Sequence, residues 1–109
     1  MLINFSNHPS ARWSAEQTAA AMKFGDIVDL PFPNVPAGAD TAAVSELADE
    51  YCAKILSLGA DVVLVQGEMS LSFAVAGRLQ DRAAQARAES ARMRRRQALQ
   101  ALIRVLTFG

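Results

Sequence analysis

Two short polar stretches contain the residue types that could do chemistry. Residues 6–10, SNHPS, contain the single histidine of the chain, His8, and residues 66–72, QGEMSLS, contain Glu68. Histidine and glutamate are common proton-transfer groups, so His8 and Glu68 are the candidate catalytic residues. Hydroxyl groups and main-chain amides at a helix start suit a phosphate group. The candidate ligand-binding residues are Ser6, Asn7, Ser10, Gln66, Gly67, Met69, Ser70 and Ser72.

Each of these residues also has a purely structural explanation. His8 precedes Pro9 and could be an ordinary turn residue. Glu68, in a first helical turn, interacts favourably with the helix dipole, and Gly67 would let a helix pack closely on a strand. Asn4 would make either a structural hydrogen bond or a ligand contact. The sequence alone leaves these alternatives open.

Several common kinds of site are absent from the sequence. One histidine, one cysteine and scattered carboxylates have no metal-ligand spacing, so we expect no metal and no cofactor. There is no phosphate-binding loop of the GxxxxGK type, no serine triad and no complete dinucleotide glycine pattern. Cys52 shares an apolar helix face with Tyr51 and Ile55, which predicts a buried packing residue rather than a nucleophile.

Strand and helix patterns alternate along the chain. Strands are predicted over residues 1–5, 26–30, 60–65 and 103–108, where apolar and β-branched residues cluster between turn residues. Helices are predicted from about Ala15 to Phe24, after Asp40 as far as Gly59, and from Leu71 to Leu79. The third helix is apolar on most of its circumference, so we expect it to be packed on more than one side.

Three features mark the connections between these elements. Ser14 and Gln17 have the spacing of a capping box, and Trp13 before them would act as a hydrophobic staple or stack on a base. Residues 31–36 contain three prolines and predict an irregular loop. Residues 83–102 are rich in alanine and arginine, and they would prolong the third helix or fold back as a helical arm. The arginine run within them is predicted to be a solvated face rather than a nucleic-acid site, because no aromatic residues are interleaved.

These patterns predict one α/β domain over residues 1–109. The expected fold is a Rossmann-like three-layer domain with a short, mainly parallel sheet of about four strands and a long helix before the last strand. The strand order cannot be read from the sequence. If it is 2-1-3-4, the loops 6–10 and 67–70 border a crevice at the carboxyl ends of the first and third strands.

Composition bounds the class and the compartment. A chain of 109 residues with 51% apolar and 20% charged residues is ordinary for one globular domain. The lone Cys52, the missing secretion signal and the absence of any apolar run near 20 residues predict a cytoplasmic protein without a membrane span.

The motifs resemble those of a known group of proteins. The SNHPS segment with Trp13, the loop PFPNVP and the stretch VLVQGEMSLSFAVAGRL resemble small CRISPR-associated accessory proteins of type III systems, which are similar to CARF domains. The resemblance covers residues 1–82 and 103–107, and the segment 83–102 has the character of an insertion. It implies a Rossmann-like module for antiviral defence that binds cyclic oligoadenylate across a homodimer, and some such modules are ring nucleases.

The resemblance also implies roles for the two loops. Residues 6–10 and 67–72 would hold the cyclic oligoadenylate, and a ribose 2′-hydroxyl would attack the adjacent phosphate without a metal ion, with His8 or Glu68 transferring the proton. One alternative is a non-catalytic sensor or sequestering module. Another is an interaction protein that oligomerises through residues 83–102 and has no nucleotide ligand. Homodimers or higher oligomers are expected, and direct binding of duplex nucleic acid is not.

Overall fold

The computed structural model describes residues 1–92 and 104–107, and strands and helices alternate through them as predicted. The elements are β1 (Leu2–Ser6), α1 (Ala15–Met22), β2 (Ile27–Pro31), α2 (Thr41–Leu58), β3 (Val62–Gln66), α3 (Met69–Arg92) and β4 (Arg104–Thr107), with a 3-10 turn at Ser10–Arg12. Each predicted strand and each predicted helix is therefore confirmed.

The four strands form one parallel sheet in the order β2-β1-β3-β4. The chain thus leaves β1 in one direction and β3 in the other, which confirms the Rossmann-like α/β fold. The last residues of β2, β1 and β3 are in register. Ser6 of β1 pairs with Pro31 of β2 on one side and with Gln66 of β3 on the other. Because β-α-β crossovers are right-handed, α1 lies on the face opposite α2 and α3.

The main hydrophobic core lies between the sheet and the pair α2 and α3, which pack against each other. Alternate residues of β1 and β3 point into this core, as the period of two along a strand requires. The buried members from the strands are Ile3, Phe5, Val63 and Val65, and those from the helices are Ala48, Cys52, Ile55, Leu71, Val75 and Leu79. The prediction that Cys52 is a buried packing residue is confirmed.

Local signals in the sequence set the helix ends. The hydroxyl of Ser14 accepts from the amide of Gln17, whose side chain accepts from the Ser14 amide, so the predicted capping box is present. Asp40 caps α2 by accepting from the amide of Ala43 at 2.8 Å. Gly59 ends α2 with a φ of 68°, in the left-handed region that favours glycine.

Helix α3 differs in two respects from a simple packed helix. It continues to Arg92, so the predicted prolongation is confirmed for residues 83–92, while residues 93–102 lie outside the described part. Its first turns are not covered on all sides, because Met69 and Phe73 are exposed although Leu71 and Val75 are buried. The expectation that α3 packs on more than one side is confirmed by its contacts with α2 and with the strands β3 and β4, and Met69 and Phe73 lie outside those contacts.

No helix within the described ranges 1–92 and 104–107 is both long enough and apolar enough to cross a bilayer.

The cap of α2 is a sharp test of how this helix begins. Asp40→Ala removes the acceptor for the Ala43 amide and should lower the free energy of unfolding by about 1 kcal/mol. Asp40→Asn keeps an acceptor oxygen and should retain most of that stability. Urea unfolding followed by circular dichroism measures both, and equal losses in the two variants would contradict this role.

Candidate ligand cleft

A cleft opens at the carboxyl ends of β1 and β2, and we call it the β1–β2 cleft. Its volume is about 240 Å³. The residues that line it are Asn4, Ser6, Asn7, Pro9, Asp29, Leu30, Pro31 and Phe32. Two of the candidate ligand-binding residues, Ser6 and Asn7, are therefore in one cavity wall.

The inner wall of the β1–β2 cleft is a buried polar network centred on Asn4. The side chains of Asn4 and Ser6 are only 1% and 5% exposed. The Asn4 amide nitrogen donates to a carboxylate oxygen of Asp29 at 3.0 Å and to the carbonyl of His8 at 2.9 Å. The hydroxyl of Ser6 donates to the Asn4 amide oxygen at 2.6 Å. Buried polar groups need such partners, so both residues are held in one orientation.

Asp29 links β2 to the loop that follows β1. Its carboxylate accepts from the amide of Ser10 at 3.2 Å and from the Ser10 hydroxyl at 3.0 Å, in addition to Asn4. Burial acts to raise the pKa of Asp29, but the hydrogen bonds from Asn4 and Ser10 outweigh it and lower the pKa below its ordinary value. The carboxylate is therefore ionised at neutral pH.

Reasoning from the sequence missed Asp29 as a site residue. The available signal was an acidic side chain inside an otherwise apolar strand, Ile27–Pro31, of a parallel sheet. Charged residues enter such strands when they have a partner, so this residue type at this position indicates a polar site. The prediction also missed the lining residues Pro9, Leu30, Pro31 and Phe32. It considered Asn4 for a structural or ligand contact but did not include it among the candidate ligand-binding residues.

The backbone of His8 is held firmly while its side chain is exposed. The His8 carbonyl accepts from Asn4 and from the indole nitrogen of Trp13 at 3.1 Å, and the His8 amide donates to the Ser6 hydroxyl at 3.1 Å. Trp13 therefore anchors the loop through its ring nitrogen, a role beyond the two considered from the sequence. The imidazole is presented to solvent next to the β1–β2 cleft.

The second predicted loop is organised around Glu68, which caps α3. Its two carboxylate oxygens accept from the amides of Ser70 and Leu71, each at 2.9 Å. These hydrogen bonds lower the pKa of Glu68, and the one from the Leu71 amide has the largest effect. The carboxylate therefore occupies the position at the helix start that a phosphate would otherwise take. Met69 and Ser70 are exposed in the same turn.

The aromatic ring of Phe32 lies beside the strands where the two loops were predicted to meet. It stacks on Phe5 with ring centroids 4.6 Å apart, and it lies so close to Gly67 that an added Cβ would be 2.6 Å from its ring atoms. Gly67 is therefore required by packing, as its structural explanation proposed. The first loop makes polar contacts with Asn4 and Asp29, the second makes them within its own helical turn, and Phe32 fills the space against Gly67.

Two further candidates are Gln66 and Ser72. Gln66 ends β3 beside Ser6 and is half-buried. The hydroxyl of Ser72 is buried and has no hydrogen-bond partner among the described residues. Within those residues, histidine, cysteine and carboxylate side chains form no group of three or more that could hold a metal ion.

The contact between Phe32 and Gly67 can be tested by adding one methyl group. Gly67→Ala places a Cβ against a buried ring that is wedged on Phe5, so we expect a loss of about 1–3 kcal/mol in the free energy of unfolding. Gly38→Ala is the matched control, because its added Cβ meets nothing within 4 Å. Urea unfolding of the two variants should separate them clearly, and an unchanged Gly67→Ala midpoint would contradict the packing role.

The Asp29 network predicts a specific pH dependence. Because the folded-state pKa lies below the ordinary value of 3.8, the ionised carboxylate stabilises the fold above that value, and the contribution is lost as the pH falls through the folded-state pKa. Asp29→Asn should therefore be less stable than wild type at pH 7, and the difference should shrink towards pH 2. Denaturant unfolding over this range measures it, with Asp26→Asn as the control. A difference independent of pH would contradict the assignment.

Comparison with known proteins gives a family without a described activity. No curated protein and no solved structure shows significant similarity to the chain. A family model, described as the uncharacterized protein MJ1673 family, matches residues 1–99. Since the match covers most of the 109 residues, the chain belongs to the uncharacterized protein MJ1673 family.

Proposed function

We propose that the protein is a nucleotide-binding module whose β1–β2 cleft accepts one nucleoside of a cyclic oligoadenylate. The observation that carries the proposal is the cleft itself, a cavity with a preorganised polar wall at the carboxyl edge of a doubly wound parallel sheet. Ligands of such sheets bind outside the carboxyl ends of the strands at the point where the strand order reverses, here between β1 and β3, and the β1–β2 cleft adjoins that point on the other side of β1. The resemblance of the loops to CARF-type modules supports the choice of ligand.

The chemistry of the lining favours the nucleoside part of the ligand over its phosphate. Asp29 supplies an ionised acceptor, and Asn7 supplies an exposed amide that can both donate and accept. Ribose hydroxyls and the adenine amino group are donors that match a carboxylate, whereas a phosphate would be repelled by it. Leu30 and Phe32 add apolar surface suited to a base.

The size of the cleft supports one nucleoside rather than a whole ring. Sites for drug-sized ligands have volumes of about 300–1,000 Å³, and this cleft is slightly below that range. A larger cyclic ligand would then place one unit in each β1–β2 cleft and extend its phosphates outside. Binding by two copies of the protein would suit a two-fold symmetric ring.

Ring cleavage is the second candidate function, and the geometry around His8 favours it. Its backbone is fixed by Asn4, Ser6 and Trp13 between the lining residues Asn7 and Pro9, so the exposed imidazole belongs to the loop that borders the cleft and could transfer a proton. Glu68 is a weaker candidate for proton transfer, because helix amides hold its carboxylate and lower its pKa. In this proposal a ribose 2′-hydroxyl loses its proton to His8 and attacks the adjacent phosphate. The bond between phosphorus and the 5′-oxygen breaks, the 5′-oxygen takes up a proton from the protonated His8 or from water, and a 2′,3′-cyclic phosphate remains.

The wider setting follows from the same proposal. A module that binds this messenger would work in type III CRISPR antiviral defence and in the cytoplasm, where the buried thiol of Cys52 remains reduced. Binding without cleavage would make it a sensor or a sequestering module.

Calorimetry with cyclic tri-, tetra- and hexa-adenylate tests the binding proposal. We expect one of the rings to bind wild type, and Asn7→Trp, which fills the β1–β2 cleft, to weaken binding by about tenfold or more. Gln85→Trp places the same side chain at an exposed position four turns along α3 and should leave affinity unchanged. Absence of binding for all three rings would overturn the proposed function.

Product analysis separates the two candidate functions. Purified protein is incubated with the ring that binds, and the products are resolved by chromatography and mass spectrometry. Conversion to linear species that disappears in His8→Ala but persists in Glu68→Gln would support cleavage. Intact rings with retained binding would support the sensor.

A further inference from the structure

The carboxylate of Asp29 already has a full set of hydrogen-bond donors inside the protein. Its Oδ1 atom accepts from the Asn4 side-chain amide at 3.0 Å and from the Ser10 main-chain amide at 3.3 Å. Its Oδ2 atom accepts from the same main-chain amide at 3.2 Å and from the Ser10 hydroxyl at 3.0 Å. An ionised carboxylate has about four lone-pair sites, two on each oxygen, so these contacts use all of them.

A ligand that uses Asp29 as an acceptor must therefore replace one of these donors. The Asn4 amide is the hardest to replace, because Asn4 is almost fully buried and water could not take the place of its partner. The Ser10 main-chain amide is fixed by the 3-10 turn Ser10–Arg12. The Ser10 hydroxyl rotates about a single bond, and Ser10 is only half-buried, so water can become its new partner. The hydroxyl is consequently the donor that leaves Asp29 at the lowest cost.

Ser10 contacts the β1–β2 cleft through Asp29. Asp29 lines the cleft, whereas Ser10 is outside the set of described residues that line it. The loop also keeps its other anchors when the hydroxyl leaves, because the His8 carbonyl accepts from Asn4 at 2.9 Å and from Trp13 at 3.1 Å. The Ser10 hydroxyl can therefore be exchanged without a change in the walls of the cleft.

We propose that the Ser10 hydroxyl is an internal competitor of the ligand, and that a ribose 2′-hydroxyl of the nucleoside in the cleft replaces it on Asp29. One hydroxyl is exchanged for another, so the carboxylate keeps the number and the kind of its donors. In dinucleotide-binding folds with a doubly wound sheet, an acidic side chain likewise holds the ribose 2′-hydroxyl. In a ring, the 2′-hydroxyl of a neighbouring unit remains available for proton transfer to His8. This inference rests on the proposed function.

The exchange has a consequence opposite in sign to that of a direct ligand contact. If Ser10 binds the ligand, as the sequence suggests, loss of its hydroxyl weakens binding. If Ser10 competes with the ligand, the same loss strengthens binding, because a water on Asp29 is released more readily than a hydroxyl that is tethered to the loop. Ser10→Ala removes the hydroxyl alone and keeps the main-chain amide on Asp29.

Calorimetry with cyclic tri-, tetra- and hexa-adenylate and with their 2′-deoxy counterparts tests the exchange. We expect Ser10→Ala to bind the ribose form of the preferred ring about threefold to tenfold more tightly than wild type does. Its affinity for the 2′-deoxy form should stay within about twofold of the wild-type value. Ser57→Ala removes another exposed hydroxyl, near the end of α2, and should leave both affinities unchanged.

The possible outcomes separate this inference from the proposed function. If Ser10→Ala binds the ribose ring as weakly as wild type or more weakly, the exchange is wrong while the binding proposal stands. If the 2′-deoxy ring gains as much affinity as the ribose ring, the 2′-hydroxyl is not the group that replaces Ser10. If no ring binds either wild type or Ser10→Ala, the proposed function fails and this inference fails with it. Circular dichroism checks that each variant is folded.

Discussion

The hydrogen bonds of one buried amide, that of Asn4, hold the carboxyl edge of the sheet together. Its nitrogen reaches Asp29 on the neighbouring strand and the carbonyl of His8 in the loop, and its oxygen accepts from Ser6. An amide offers two donors and an acceptor in a plane, so one side chain can satisfy a strand neighbour and a turn at once. The position of the loop, and with it the wall of the cleft, depends on this network.

Burial makes the hydrogen bonds of this network costly to lose and holds its side chains in one arrangement. Asn4 is almost fully inaccessible, so any partner that is removed leaves a polar atom without water to replace it. The carboxylate of Asp29 is the outer end of the network, where it meets solvent, and its lowered pKa reflects the donors around it. The wall of the β1–β2 cleft therefore has little freedom to rearrange and presents a fixed pattern of polar groups.

On the β3 side of the same edge, side-chain packing fills the space between the loops, and no hydrogen bond among the described residues joins one loop to the other. The proline-rich loop directs Phe32 onto Phe5 and against Gly67, and Glu68 uses the first amides of α3 as its own partners. A doubly wound sheet creates a crevice at this point, and here an aromatic ring and a capping carboxylate occupy its border. The open cavity is consequently displaced towards β1 and β2, and the exposed Phe73 lies on the outer side of the helix that begins at this border.

The sequence by itself determined the elements and their ends. Alternating β-branched runs, the capping box at Ser14 and the glycine at position 59 act through local backbone geometry and short-range hydrogen bonds, so they can be recognised from neighbouring residues. It also directed attention to the first loop, whose residues Ser6, Asn7 and Pro9 line the β1–β2 cleft. Only the tertiary structure decided the strand order, the partnership of Asn4 with Asp29 across 25 positions, and the use of Phe32 to fill the space at Gly67. These depend on which strands become neighbours, and strand neighbours are chosen by burial over the whole chain rather than by any local pattern.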